Sequence, residues 1–154
     1  ALQDDVAQAA ALLDEFEPRL DPGTRAILVT LRARALAGRS AEALPVAERA
    51  LELSRGGANE VAALTARAVV HLREGRPEDA VRDLEEASAL VGEAGAEVPY
   101  LAAARARFLG EACAAAGNAA KARAAFERAA TFPHRIPAAC AAAEALARLD
   151  RSAV

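Results

Sequence analysis

Apolar positions recur at helical spacing along nearly the whole chain, in runs separated by clusters of Gly and Pro. A first run, from about Asp4 to Leu20, is marked by Val6, Ala10, Leu13 and Phe16 and stops at Asp21-Pro22-Gly23. Three pairs of runs follow. Ile27 to Leu36 precedes Ala43, Leu44, Ala47, Ala50 and Leu51; Val61 to Leu72 precedes Ala80, Val81, Leu84 and Ala87; Leu101 to Ala115 precedes Ala122, Phe126 and Ala129. A last run opens at Pro137 and reaches Leu149, with Ala141, Ala145 and Leu149 on one stripe. Spacings of i, i+4 and i+7 keep such residues on one face of a helix, so the pattern predicts amphipathic helices throughout. One glycine divides each pair: Gly38, Gly75 and Gly117. Glycine ends a helix by accepting φ > 0, while Ser40, Pro77 and Asn118 are suited to open the next. Connections this short make antiparallel αα-hairpins. The breaks fall near 21–23, 55–58, 92–99 and 133–137.

The hairpins repeat one another. The stretches starting at Gly38, Gly75 and Gly117 continue in register to Ala47-Glu48-Arg49-Ala50, Leu84-Glu85-Glu86-Ala87 and Phe126-Glu127-Arg128-Ala129. In the third unit Leu109-Gly110, Gly117, Ala122, Phe126 and Ala129, with Pro133 nearby, stand at the spacing of the tetratricopeptide repeat (TPR), and the chain resembles that family over roughly residues 24–134. The first unit keeps Gly38, Ala43 and Ala50, and the second keeps Gly75, Ala80, Leu84 and Ala87. Two departures stand out. Thr30-Leu31 and Arg67-Ala68 replace the Leu-Gly pair, and the stripe Leu28, Leu31, Ala35 is one residue out of phase with the register counted from Gly38. The glycines are also 37 and 42 residues apart, beyond the family's roughly 34. Longer units of this kind are similar to those in sensor regions of large bacterial regulators and signalling ATPases. The resemblance implies an all-α fold, a right-handed αα-superhelix or solenoid of about eight antiparallel helices. It is a single domain over 1–154: an N-terminal helix at 1–22, repeats at 24–56, 58–92 and 99–134, and a capping helix at 136–150.

Composition sharpens this picture. Forty-six of 154 residues are alanine and aromatics are only 3%, which favours closely packed helices over sheets. A net charge of −3 argues against nucleic acid as a partner. No run approaches the roughly 18 apolar residues of a membrane span. Cys113 and Cys140 form no CxxC pair, so a reducing, cytoplasmic setting is expected. Lys121 is the single lysine among 19 basic residues, a bias suggestive of a GC-rich bacterial genome. The chain begins at Ala1 without a basic stretch ahead of an apolar one, so no secretory leader is expected. The missing initiator Met is read as a fragment or a processed chain.

By the same resemblance, the first helix of each unit lines a concave face. Counted back from each glycine, that face holds Arg25, Leu28, Arg32 and Leu36; Thr65, Val69, Leu72 and Arg73; and Arg107, Glu111 and Ala115. An apolar trough edged by arginines suits an amphipathic helix or a short acidic peptide. Some TPR proteins hold a C-terminal carboxylate with Lys and Asn, but the matching positions here are Leu28, Arg32, Ala66, Ala104 and Phe108, which argues against that clamp.

Nothing in the sequence points to catalysis. His71 and His134 have no Cys or carboxylate at zinc-ligand spacing, and no Walker A or GxGxxG sequence occurs. His71 is expected to cap or line a helix, and both cysteines to be small core residues. Asp14-Glu15, Asp79 and Glu85-Glu86 are expected on exposed stripes, paired with arginines one turn away. Pro45 is expected about five residues inside a helix, bending its first turn. The break from Gly92 to Pro99, followed by Tyr100, reads as a hinge or a surface loop. The expected function is a non-enzymatic protein- or peptide-binding scaffold without cofactor or metal. The alternative is a sensor or oligomerisation segment of a larger regulator, with self-association to a homodimer left open.

Overall fold

The structure, a computed structural model, describes residues 14–94, 98–133 and 136–152. A 3-10 turn at Glu17–Arg19 precedes seven α-helices: α1 (Pro22–Leu36), α2 (Ala43–Ser54), α3 (Glu60–Arg73), α4 (Pro77–Ala94), α5 (Pro99–Ala115), α6 (Ala119–Ala130) and α7 (Pro137–Ser152). Among the described residues there is no strand. Most of the expected N-terminal helix lies outside the described residues.

Local chemistry starts and stops most of these helices as the pattern implies; Ser40 is the exception, since α2 begins only at Ala43 and the Ser40 hydroxyl accepts from the Glu42 amide at 3.1 Å without capping the helix. The Asp21 carboxylate accepts from the Thr24 amide and Pro22 follows at the first helical position, so Asp21-Pro22-Gly23 opens α1 as well as ending what precedes it. Asn118 caps α6 through the Lys121 amide, and Pro77 begins α4. Gly38, Gly75 and Gly117 all hold φ between 71° and 76°, and Gly56 adopts φ 69° between α2 and α3. At Gly75 the turn is closed by two backbone bonds, Gly75 N–H to the Leu72 carbonyl and Arg76 N–H to the His71 carbonyl.

Two expectations about proline and glycine are corrected. Because α2 starts at Ala43, Pro45 is its third residue, where an amide would have no intrahelical partner; the proline removes no helical hydrogen bond there. Gly92 does not break the chain either, since α4 continues to Ala94; residues 95–97 lie outside the described part.

Packing follows chain order. Every helix contacts the next one, and α1, α3, α5 and α7 also approach closely in sequence, whereas the backbones of α2, α4 and α6 stay farther apart. The first helices therefore form an inner row and the second helices an outer one, a repeat-like all-helical arrangement. The core between the rows is rich in small residues: Ala33 of α1 meets Ala43 and Ala47 of α2 and Val70 of α3, Val29 of α1 joins Ala50 and Leu51 of α2 with Ala63 and Leu64 of α3 and Ala87 of α4, and Ala68 and Val69 of α3 join Ala80 and Leu84 of α4. In the third pair Phe126 does this work. A Cβ on Gly110 would come within 2.5 Å of the Phe126 ring, so the missing side chain of Gly110 is the space the ring occupies. On α7, Ala138, Ala139 and Ala142 are buried, with Ala145, Leu146 and Leu149 packed against the Phe126 cluster. Cys140 points away from that stripe and is exposed, contrary to the expectation of a core residue.

Candidate functional site

A groove of about 470 Å³ crosses the inner row, lined by α1, α3 and α5 together with Ala58, Asn59, Val91 and Val98. From α1 come Ile27, Thr30, Leu31 and Arg34; from α3 Val61, Ala62 and Thr65; from α5 Tyr100, Leu101, Ala104 and Phe108. Five of these side chains are large, apolar and open to solvent, with Ile27 50%, Leu31 55% and Tyr100 51% exposed beside Val98 and Leu101. The cause lies in α1. Ala26, Val29 and Ala33 fill its buried face, which lets α2 and α3 come close but leaves its larger residues on the other side. At seven residues before the turn glycine, the second and third units have Ala68 and Gly110, both buried, whereas the first has Leu31. The out-of-phase stripe in the sequence is thus an outward-facing stripe, not a core one.

The groove's polar groups are few. Thr30 and Thr65 donate their hydroxyls to the carbonyls of Ala26 and Val61, each at 2.7 Å, so neither is available as a strong donor to a ligand. Among the described residues Arg34 is the one charged side chain of the lining, and Asn59 donates to the Gly23 carbonyl at 3.3 Å.

Of the eleven residues expected on the concave face, Thr65 lies in this groove. The others are placed elsewhere. Arg25 donates to the carbonyls of Glu17 (3.1 Å), Pro18 (3.2 Å) and Leu20 (3.4 Å), pinning the 3-10 turn onto α1. The buried Glu17 carboxylate of that turn is met by Arg49 of α2. Arg32 pairs with Asp14 at 2.6 Å, and Leu28 is half-buried. Val69 is buried and Leu72 half-buried in the cluster that contains Leu84 and Phe108. The stem of Arg73 lies against Gly38. Arg107 stacks over the Phe108 ring at 4.2 Å and bonds Glu111 at 2.8 Å. Most of these side chains are engaged within the chain. Counting from the glycine points to the helices that line this groove; the stripe that opens depended on which neighbours α1 and α3 bury.

A second polar cluster lies inside the middle hairpin. Asp83 of α4 is 0% exposed. The Arg67 guanidinium grips it at both oxygens, Nε to Oδ2 at 2.8 Å and Nη2 to Oδ1 at 2.7 Å. His71, also buried, places Nε2 3.6 Å from the same Oδ2, and its Nδ1 lies 2.7 Å from Arg76 Nη2. The Asp83 carboxylate holds Arg67 firmly protonated, and burial lowers the proton affinity of His71. His71 is thus a buried network residue instead of a cap. Lining the units up on their glycines makes the cluster visible: where the third unit has Leu109, Cys113 and Ala125, the second has Arg67, His71 and Asp83.

Chemically reactive groups are scarce. Burial pushes the Cys113 thiol up, away from the thiolate a nucleophile requires. Among the described residues no group of three or more His, Cys, Asp or Glu could hold a metal, and no helix is long and apolar enough to cross a membrane. His134 lies outside the described residues. Asp79 pairs with Arg82 at 2.5 Å as expected of a surface stripe, but Glu85 reaches across to Lys121 of α6 at 3.0 Å in the next unit. No protein family, curated protein or solved structure matches this chain.

Proposed function

We propose that the chain is a TPR-like right-handed αα-solenoid acting as a non-enzymatic scaffold, which holds the apolar stripe of an amphipathic helix in the groove between α1, α3 and α5. The observation that carries this reading is the cluster of exposed Ile27, Leu31, Val98, Tyr100 and Leu101 around one concavity. Contiguous apolar surface of this kind marks interaction sites, and a helix fills such a groove with side chains at i, i+3, i+4 and i+7. The chain-order packing, with the first helices approaching closely along the inner row, supports the solenoid part of the reading. A cytoplasmic, bacterial setting belongs to the same proposal.

The test is selection of a displayed library of helical peptides on the wild-type protein, followed by affinity measurement against Leu31→Glu. Leu31 is exposed, so the substitution leaves the core intact. Selected peptides with an apolar helical stripe should bind the variant at least about tenfold more weakly, the loss of one central apolar anchor. Equal binding would remove the groove from the function. The same patch also suits the second reading, a regulator segment packed on its own neighbours. Light scattering over a wide concentration range separates the two: a dimer abolished by Leu31→Glu assigns the groove to self-association.

A further inference from the structure

The buried cluster of the middle hairpin has a built-in asymmetry. Arginine has no hydrogen-bond acceptor, so the 2.7 Å contact between Arg76 Nη2 and His71 Nδ1 requires Nδ1 to be unprotonated and to accept. The ring proton then sits on Nε2, facing Asp83 Oδ2 at 3.6 Å. Asp83 is already gripped at both oxygens by Arg67. Arg76, in contrast, has alternatives within reach: Glu74 Oε2 at 3.7 Å and Asp79 Oδ2 at 3.8 Å.

We propose that His71 and Arg76 form a proton-operated latch across the α3–α4 turn. With His71 neutral, Arg76 is held on Nδ1 and ties the start of α4 to the end of α3. A proton taken up at Nδ1 sets an N–H against an N–H and one cation against another; the hydrogen bond is lost and Arg76 moves to Glu74 and Asp79. The charges acting on the ring come from each element around it. Asp83 and Asp79 of α4 favour its protonation, while Arg67 of α3 and Arg76 of the turn oppose it. From α2, Glu48 acts on Arg67. Burial opposes protonation most, so the latch is closed at neutral pH and opens on acidification. The unfolded chain takes up this proton at the ordinary histidine value of about 6.5, before the folded chain does. The stability due to the latch is therefore complete above that pH and is lost as the pH falls through it towards the lower folded value. This hairpin also supplies Val61, Ala62, Thr65 and Val91 to the groove.

The experiment is an NMR titration of the intact protein that follows the His71 ring nitrogens and the Arg76 side-chain resonances. The latch requires the Nε2–H tautomer at neutral pH, a His71 midpoint below the ordinary value, and Arg76 shifts with that same midpoint. An Nδ1–H tautomer, or Arg76 signals that ignore the His71 titration, overturns it. Arg76→Met keeps much of the stem and should move the His71 midpoint upward; an unchanged midpoint also overturns it. In urea melts, the wild type should lose stability on going from neutral to mildly acidic pH by more than His71→Gln does. Equal losses would count against the latch, and the titration stands by itself if His71→Gln fails to fold.

Discussion

The middle and third hairpins have the same plan and opposite interiors. Nine residues after the turn glycine the middle hairpin has Leu84 and the third has Phe126; seven before it they have Ala68 and Gly110. The pairs exchange volume, since the larger ring needs the smaller partner opposite. At the neighbouring positions Arg67, His71 and Asp83 face each other in one hairpin, and Leu109, Cys113 and Ala125 occupy the other. One backbone arrangement thus accommodates either a satisfied ionic cluster or an apolar filling. It does not tolerate half of either, because a buried charge without its partner has neither water nor a counter-ion.

The largest effect expected from this contrast comes from breaking the ionic cluster on one side. Asp83→Ala leaves Arg67 facing an apolar interior and should cost about 3–5 kcal/mol in urea unfolding. A loss under about 1 kcal/mol would mean that Arg67 escapes to water and the cluster is not structural.

Next comes the volume exchange. Gly110→Ala should destabilise by about 1–3 kcal/mol through the clash with Phe126. Adding Phe126→Leu, which makes the third hairpin resemble the second, should recover most of that loss in a double-mutant cycle. Simple additivity of the two losses would break the comparison.

The smallest change is expected when the whole cluster is exchanged. Arg67→Leu, His71→Cys and Asp83→Ala together give the middle hairpin the third hairpin's residues. Replacing a buried ion pair by apolar side chains of suitable size is often neutral or stabilising, so thermal melts of this variant should lie close to the wild type. The same variant has no His71, and its stability should no longer carry the pH dependence assigned to the latch.

Much of this architecture was readable in the chain. The glycine punctuation, the opening residues Pro77 and Asn118 and the alanine stripe Ala43, Ala47, Ala50 act within a few residues, and local signals of that kind survive folding unchanged. The stripe Leu28, Leu31, Ala35 misleads because apolar size does not decide burial when the helices approach on alanine; closeness of approach does. Cys140 and Pro45 show the same limit at single positions, since one turned on the rotation of α7 and the other on where α2 begins.

Short-range sequence pattern was therefore enough for the helices, their order and the turns between them, since those follow from the bonding and conformational preferences of adjacent residues. Tertiary packing alone decided which face of α1 opens into a groove, and that Arg25, Arg32 and Arg107 are engaged within the chain. It also brought Arg67, His71, Arg76 and Asp83 into one cluster. These outcomes depend on which helices lie side by side and how far each is rotated. Contact between residues distant in sequence is what sets both.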